Sequence, residues 1–79
     1  MSMRLFLHIE SVPGALARVL EPLAVSGYAP RTLFLRPAAR GAAFVMAEFE
    51  GPDTARAALL TERVRQMPCV MRARLAGAQ

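Results

Sequence analysis

The 79 residues make one small domain, residues 1–79, because a chain of this length buries only about 60–65% of its unfolded surface. Apolar residues at 54%, charged residues at 20% and a mean hydropathy of +0.31 exclude a disordered tail, and no apolar run approaches the ~18 residues of a membrane span. A single cysteine, Cys69, excludes an internal disulfide, and with a single histidine, His8, it makes a poor metal set.

Arg4 and His8 interrupt the N-terminal apolar stretch, so no signal peptide is expected and the expected compartment is the cytoplasm. Ten basic residues against six acidic ones give a net charge of +4 and a pI near 11.1. All ten are arginine, and fifteen residues are alanine. Joint enrichment of Ala and Arg without Lys is the composition of a GC-rich genome. Clustered arginine would instead mark a polyanion partner, but here the arginines are spread along the chain from Arg4 to Arg74.

Arg4 to Ile9 alternates, with Leu5, Leu7 and Ile9 on one side and Phe6 and His8 on the other, which predicts a strand. Ser11-Val12-Pro13-Gly14 then supplies a capping hydroxyl and a proline suited to a first helical turn. Leu16, Val19, Leu20, Leu23 and Ala24 recur at helical spacing until Gly27, and Pro22 is expected to bend this helix. Tyr28 to Arg36 reads as a second strand, with Pro30 marking an edge. A turn over Pro37 to Gly41 leads to a third strand, Ala42 to Phe49. Gly51-Pro52-Asp53 opens a second helix whose stripe is Ala57, Leu60, Val64 and Met67, and Pro68 ends it. Cys69 to Leu75 is the fourth strand.

The order is βαββαβ, which predicts an α+β, ferredoxin-like fold: a four-stranded antiparallel sheet with two helices on one face. Leu5, Leu7, Ile9, Leu33, Leu35, Val45, Ala47, Met71, Ala73 and Leu75 are expected to face the helices. The open face would carry Phe6, His8, Phe34, Phe44, Met46 and Val70, rimmed by Arg36, Glu48, Arg72 and Arg74. Of these, Phe6, Phe34, Phe44, Met46 and Val70 form a contiguous apolar patch and are the expected oligomer face. Monomers rarely expose such patches beyond a few hundred Å², so a homo-oligomer, in the first instance a dimer, is expected.

Nothing in the sequence assembles a catalytic centre. Glu48 and Glu50 share a strand face without an inferable polar pocket, His8 has no placed Ser, Cys or Asp partner, and Cys69 has no base. No glycine-rich phosphate loop and no metal-binding pair of cysteines is present, so no cofactor and no metal are expected.

Two families with this topology resemble the chain. Arg40-Gly41-Ala42-Ala43-Phe44-Val45-Met46-Ala47 and Leu5-Phe6-Leu7-His8-Ile9 resemble the third-strand and first-strand motifs of RNA-recognition motifs, with Phe6 and Phe44 as stacking aromatics. That resemblance departs at Ala42 and Ala47, where aromatics are usual, and at Ile9, where Asn is usual. Nucleic acid is therefore not the expected partner. The second resemblance covers nearly the whole chain. Val12-Pro13-Gly14-Ala15-Leu16-Ala17-Arg18-Val19-Leu20, Leu23-Ala24 and Gly27-Tyr28 resemble the first helix of ACT domains, and Gln66-Met67-Pro68-Cys69-Val70 resembles their approach to the fourth strand. Within that family the short length and Arg31-Thr32-Leu33 are most similar to the small regulatory subunit of acetolactate synthase.

The ACT resemblance implies a non-catalytic regulatory domain that binds a small amino acid and acts on a catalytic subunit of amino-acid biosynthesis. The implied ligand site is Ser11, Val12, Gly14, Ala15 and Leu16. A helix N-terminus presents unpaired N–H groups and partial positive charge, which suit a carboxylate, and glycine admits close approach to the backbone. Val12 and Leu16 would line the site for a branched-chain side chain. The Asn that ligand-binding members often carry just after Gly-Tyr is Ala29 here.

Overall fold

The computed structural model describes residues 2–10, 14–50 and 54–78. The elements are β1 (Ser2–Glu10), α1 (Ala15–Val25), β2 (Thr32–Ala38), β3 (Ala42–Glu50), α2 (Thr54–Arg65) and β4 (Val70–Ala78). The sheet runs β2-β3-β1-β4, and every pairing is antiparallel. This is the ferredoxin-like arrangement expected from the sequence.

Period-two patterning places Met3, Leu5, Leu7 and Ile9 of β1 and Ala43, Val45, Ala47 and Phe49 of β3 in one buried layer. Register pairs large with small, Leu5 opposite Ala47 and Ile9 opposite Ala43, which leaves room for helix side chains. From α1 come Ala15, Val19 and Leu23, four residues apart; from α2 come Ala57, Leu60 and Val64. Thr61 is the exception in this apolar layer, and its hydroxyl donates to the Ala57 carbonyl at 2.9 Å, so burial leaves no orphan group. Truncating any of the buried leucines would cost about 2–5 kcal/mol.

The first helix has defined ends. Gly14 at its head holds φ 82 and Gly27 beyond its end holds φ 88, a region that side chains disfavour. Gly27 N–H donates to the Ala24 carbonyl at 3.0 Å and Tyr28 N–H to the Leu23 carbonyl at 2.8 Å. This pair of bonds is a Schellman closure, and it turns the chain toward β2. Helix α1 continues past Pro22 to Val25.

Two strands depart from the sequence reading. The β1–β4 register shifts between His8 and Ile9: Ile9 pairs with Val70 but His8 pairs with Arg72. Met71 is thus an extra residue, a β-bulge. Val70 consequently turns into the core, at 9% exposure, while Met71 turns out, at 49%. Val70 therefore does not belong to the expected oligomer face, and Met71 does not belong to the core. The second departure is β2. Leu33 and Leu35 do lie on the helix side, opposite Ala47 and Val45, yet they are 43% and 47% exposed. The helices sit over β1 and β4, with α2 packed mainly on β4, and among the described residues no helix covers β2.

The other edge of the sheet is guarded. Arg65, at the end of α2, reaches to β4 and donates to the Ala73 carbonyl at 2.7 Å while pairing with Glu62.

The bulge makes a direct prediction. Met71→Glu is expected to leave unfolding free energy within about 0.5 kcal/mol of wild type, as surface substitutions do. Val70→Glu places an unpaired carboxylate in the core and is expected to cost several kcal/mol. Urea unfolding of the two variants checks the assignment, and equal losses would restore the unbulged register.

Candidate functional site

Of the ligand residues expected at the head of α1, Ser11 and Val12 lie outside the described residues. Gly14 is exposed, and among the described residues, its chain neighbours aside, no heavy atom lies within 4 Å of where a Cβ would stand. Access to the backbone here is open. Ala15 is 1% exposed and Leu16 packs against the core, so both side chains are committed to packing and only their backbone faces a ligand. No side chain caps the helix, and no acidic residue stands in its first turn. The N–H groups of Ala15, Leu16 and Ala17 therefore precede the first intrahelical bond, Arg18 N–H to the Gly14 carbonyl at 3.0 Å, and carry the positive end of the helix dipole.

The segment before β2 is pinned rather than loose. Arg31 N–H donates to the Glu48 carbonyl at 2.6 Å, and its guanidinium pairs with Glu50. The Tyr28 ring stacks on Phe49, with centroids 5.8 Å apart and planes within 6°. Its hydroxyl oxygen is buried without a hydrogen-bond partner among the described residues.

The open sheet face is the other concentration of chemistry. Cross-strand register lays it out in rows: Arg74, Phe6, Met46 and Phe34 in one, Arg72, His8, Phe44 and Arg36 in the next. Phe6, Phe34, Phe44 and Met46 thus share this face, as the sequence pattern implied, and Phe34 and Phe44 are 56% and 43% exposed. A third row holds Arg4 and Glu48, paired at 3.3 Å.

The aromatic rings are already engaged. His8 stacks on one side of Phe44, centroids 4.5 Å apart, and the Arg36 guanidinium lies over the ring at 5.6 Å. His8 and Arg36 come from the two strands that flank β3, so Phe44 is engaged by a neighbour from each side of its row. The Arg74 guanidinium likewise lies 5.0 Å over Phe6. These contacts are cation–π and stacking interactions within the sheet. A base stacking on Phe44, or on the Arg74-covered face of Phe6, would have to displace a neighbour.

Two depressions flank this aromatic centre. One, of about 520 Å³, is lined by Phe6, His8, Phe44, Met71, Arg72 and Arg74 with Arg65 at its edge. The smaller, of about 300 Å³, lies toward β2 between Phe6, Phe34, Phe44 and Arg36. Met71 is the wall residue that sequence reasoning missed. The described residues contain no group of three or more His, Cys, Asp or Glu close enough to hold a metal ion. Cys69 is buried.

No family model matches this sequence, and no curated protein matches it. Similarity to solved structures is extensive in shape and low in identity. The ACT domain of GTP pyrophosphokinase from Chlorobium tepidum superposes with a TM-score of 0.80 at 14% identity, covering 96% of this chain and 97% of that one. The chain shares the ACT-domain fold. The C-terminal domain of the MgtC protein from Mycobacterium tuberculosis gives 0.75 at 15% identity, covering 95% and 84%. A formyltetrahydrofolate deformylase from Pseudomonas putida gives 0.72 at 19% identity, covering 99% of this chain and 29% of the enzyme.

The occupied rings bear on the nucleic-acid resemblance. Base stacking on an aromatic side chain is worth about 1–3 kcal/mol per base, and that contribution is lost where the ring faces are taken. Anisotropy titration with mixed-sequence single-stranded RNA is expected to show only salt-sensitive, non-specific association. Sequence-selective binding at micromolar concentration that disappears in Phe44→Ala would reverse this reading.

Proposed function

We propose that this chain is a non-catalytic regulatory domain of the cytoplasm that binds a small amino acid at the head of α1 and controls an amino-acid biosynthetic enzyme of acetolactate-synthase type. The observation that carries the reading is Gly14, in a left-handed conformation with open space beyond it, placed at an uncapped helix start in an ACT-domain fold. A ligand carboxylate would meet the N–H groups of Ala15, Leu16 and Ala17. Ser11 would add one hydrogen bond and Val12 an apolar wall for a branched-chain side chain. The ammonium needs an acceptor, supplied by Glu10, exposed at the end of β1, or by a carbonyl between Tyr28 and Arg31 of a neighbouring copy.

That second option ties binding to self-association, and the sheet favours one geometry for it. Face-to-face packing would bring Arg36, Arg72 and Arg74 of two copies together, and like charges opposed across an interface are unfavourable. The β2 edge has no strand beyond β3 and carries Leu33, Phe34 and Leu35, each more than two-fifths exposed. Pairing of two β2 edges would extend the sheet and cover these side chains. A regulatory ligand would then act through its differential affinity for the assembled and unassembled forms.

Two experiments test the proposal. Calorimetry with valine, leucine and isoleucine, alone and with an acetolactate-synthase-like catalytic subunit, is expected to give saturable binding that Gly14→Val abolishes. Binding unaffected by Gly14→Val would remove the site, and no binding in any combination would leave a structural oligomerisation module. Light scattering at micromolar concentration is expected to give twice the 8.6 kDa chain mass, falling to the monomer in Leu35→Lys. A wild-type monomer would refute the self-association.

A further inference from the structure

The 520 Å³ depression on the open face differs in chemistry from the head of α1. We infer that it is a second small-molecule site, one that takes an apolar-bodied anion lacking an ammonium group: an aromatic or branched carboxylate rather than an amino acid. Its size falls within the roughly 300–1,000 Å³ of ligand pockets. Its walls are Phe6, Met71 and the His8–Phe44 stack, and its charged groups are the Arg72 and Arg74 guanidiniums.

The bulge builds this site. In an unbulged register Met71 would point into the core and the depression would lose its β4 wall. Bulges recur beside binding sites because they re-aim a side chain in this way. Charge is equally one-sided. No acidic residue lines the depression; the Arg4–Glu48 pair lies in the next row, Glu62 is engaged by Arg65 at the rim, and Glu10, beyond His8 on β1, is not part of the lining. Arg72 has neither an ion-pair nor a hydrogen-bond partner among the described residues. Arg74 has only the Phe6 ring, which a guanidinium contacts without losing its N–H donors. Two guanidinium forks two residues apart on one strand suit a carboxylate bidentately. An amino acid of the same skeleton would bring its ammonium within reach of the same two cations, which at about 6 Å in a water-like dielectric weakens binding about tenfold.

Amide chemical-shift titration with 3-phenylpropionate and with phenylalanine tests the inference. Saturable shifts are expected at Phe6 to His8 and at Val70 to Arg74 with 3-phenylpropionate, and about tenfold weaker ones there with phenylalanine. The double variant Arg72→Gln/Arg74→Gln, or Met71→Glu, is expected to weaken the response at least tenfold, while the equal charge loss of Arg56→Gln/Arg63→Gln on α2 leaves it unchanged. Equal affinity for the two ligands, an equal loss in both double variants, or shifts away from β1 and β4 would overturn it. So would tighter binding of an octameric oligouridylate across the whole face, which would make the surface a nucleic-acid platform. Amides of residues 14–17 report separately in the same spectra, so the amino-acid site at α1 stands or falls independently.

Discussion

Two helices of 11 and 12 residues cannot cover a four-stranded sheet, and the rest of the structure follows from where they are spent. They lie over β1 and β4, and their buried apolar side chains join those of β1, β3 and β4 in one core. Among the described residues, no element covers one whole face of the sheet or the outermost strand, β2. Burial elsewhere compensates: β1 is hydrogen-bonded on both edges, and its four inward residues are all at or below 3% exposure. A domain of this size has little stability to spare. Its uncovered surfaces are therefore the places where further burial has the most to add.

Those surfaces have different chemistry. The β2 edge offers backbone donors and acceptors together with apolar side chains, which matches another strand of the same kind. The open face offers guanidiniums stacked on aromatic rings, which match an anion. The head of α1 offers unpaired N–H groups and a glycine, which match a carboxylate with little else specified. A single small fold thus presents three surfaces of distinct chemistry.

Most of the fold was legible because its signals are periodic and local. Alternation fixed β1 and β3, the four-residue stripe fixed α1, and Gly14 and Gly27 sit where their left-handed conformations close the two ends of that helix. What escaped was non-local. Val70 and Met71 are both apolar and adjacent, so either can be read as inward. The choice is made by the Ile9–Val70 pairing across the sheet, to which no local pattern points. Leu33 and Leu35 have the right period and the right side, but whether a helix reaches them depends on the lengths and positions of α1 and α2. At the head of α1, the helix start at Gly14 was legible from Pro13-Gly14, whereas the packing role of Ala15 and the Arg-stacked state of Phe6 and Phe44 depend on tertiary neighbours.

The positions of the surfaces also decide how they can influence one another. Self-pairing through β2 would bury the β2 edge, while the depression lies over β1 and β4 and reaches β3 at Phe44. An antiparallel ladder with fixed register transmits little of a side-chain rearrangement along its hydrogen-bonding direction, because its two discrete alternatives are separated by a full register slip. No β2 residue lines that depression, and a ligand without differential contact with the paired and unpaired forms shifts no equilibrium. The head of α1 is placed otherwise, since a ligand held between it and a neighbour's Tyr28–Arg31 segment would touch two copies at once. Of the two proposed sites, the one at α1 is the one whose occupant would reach a neighbouring copy.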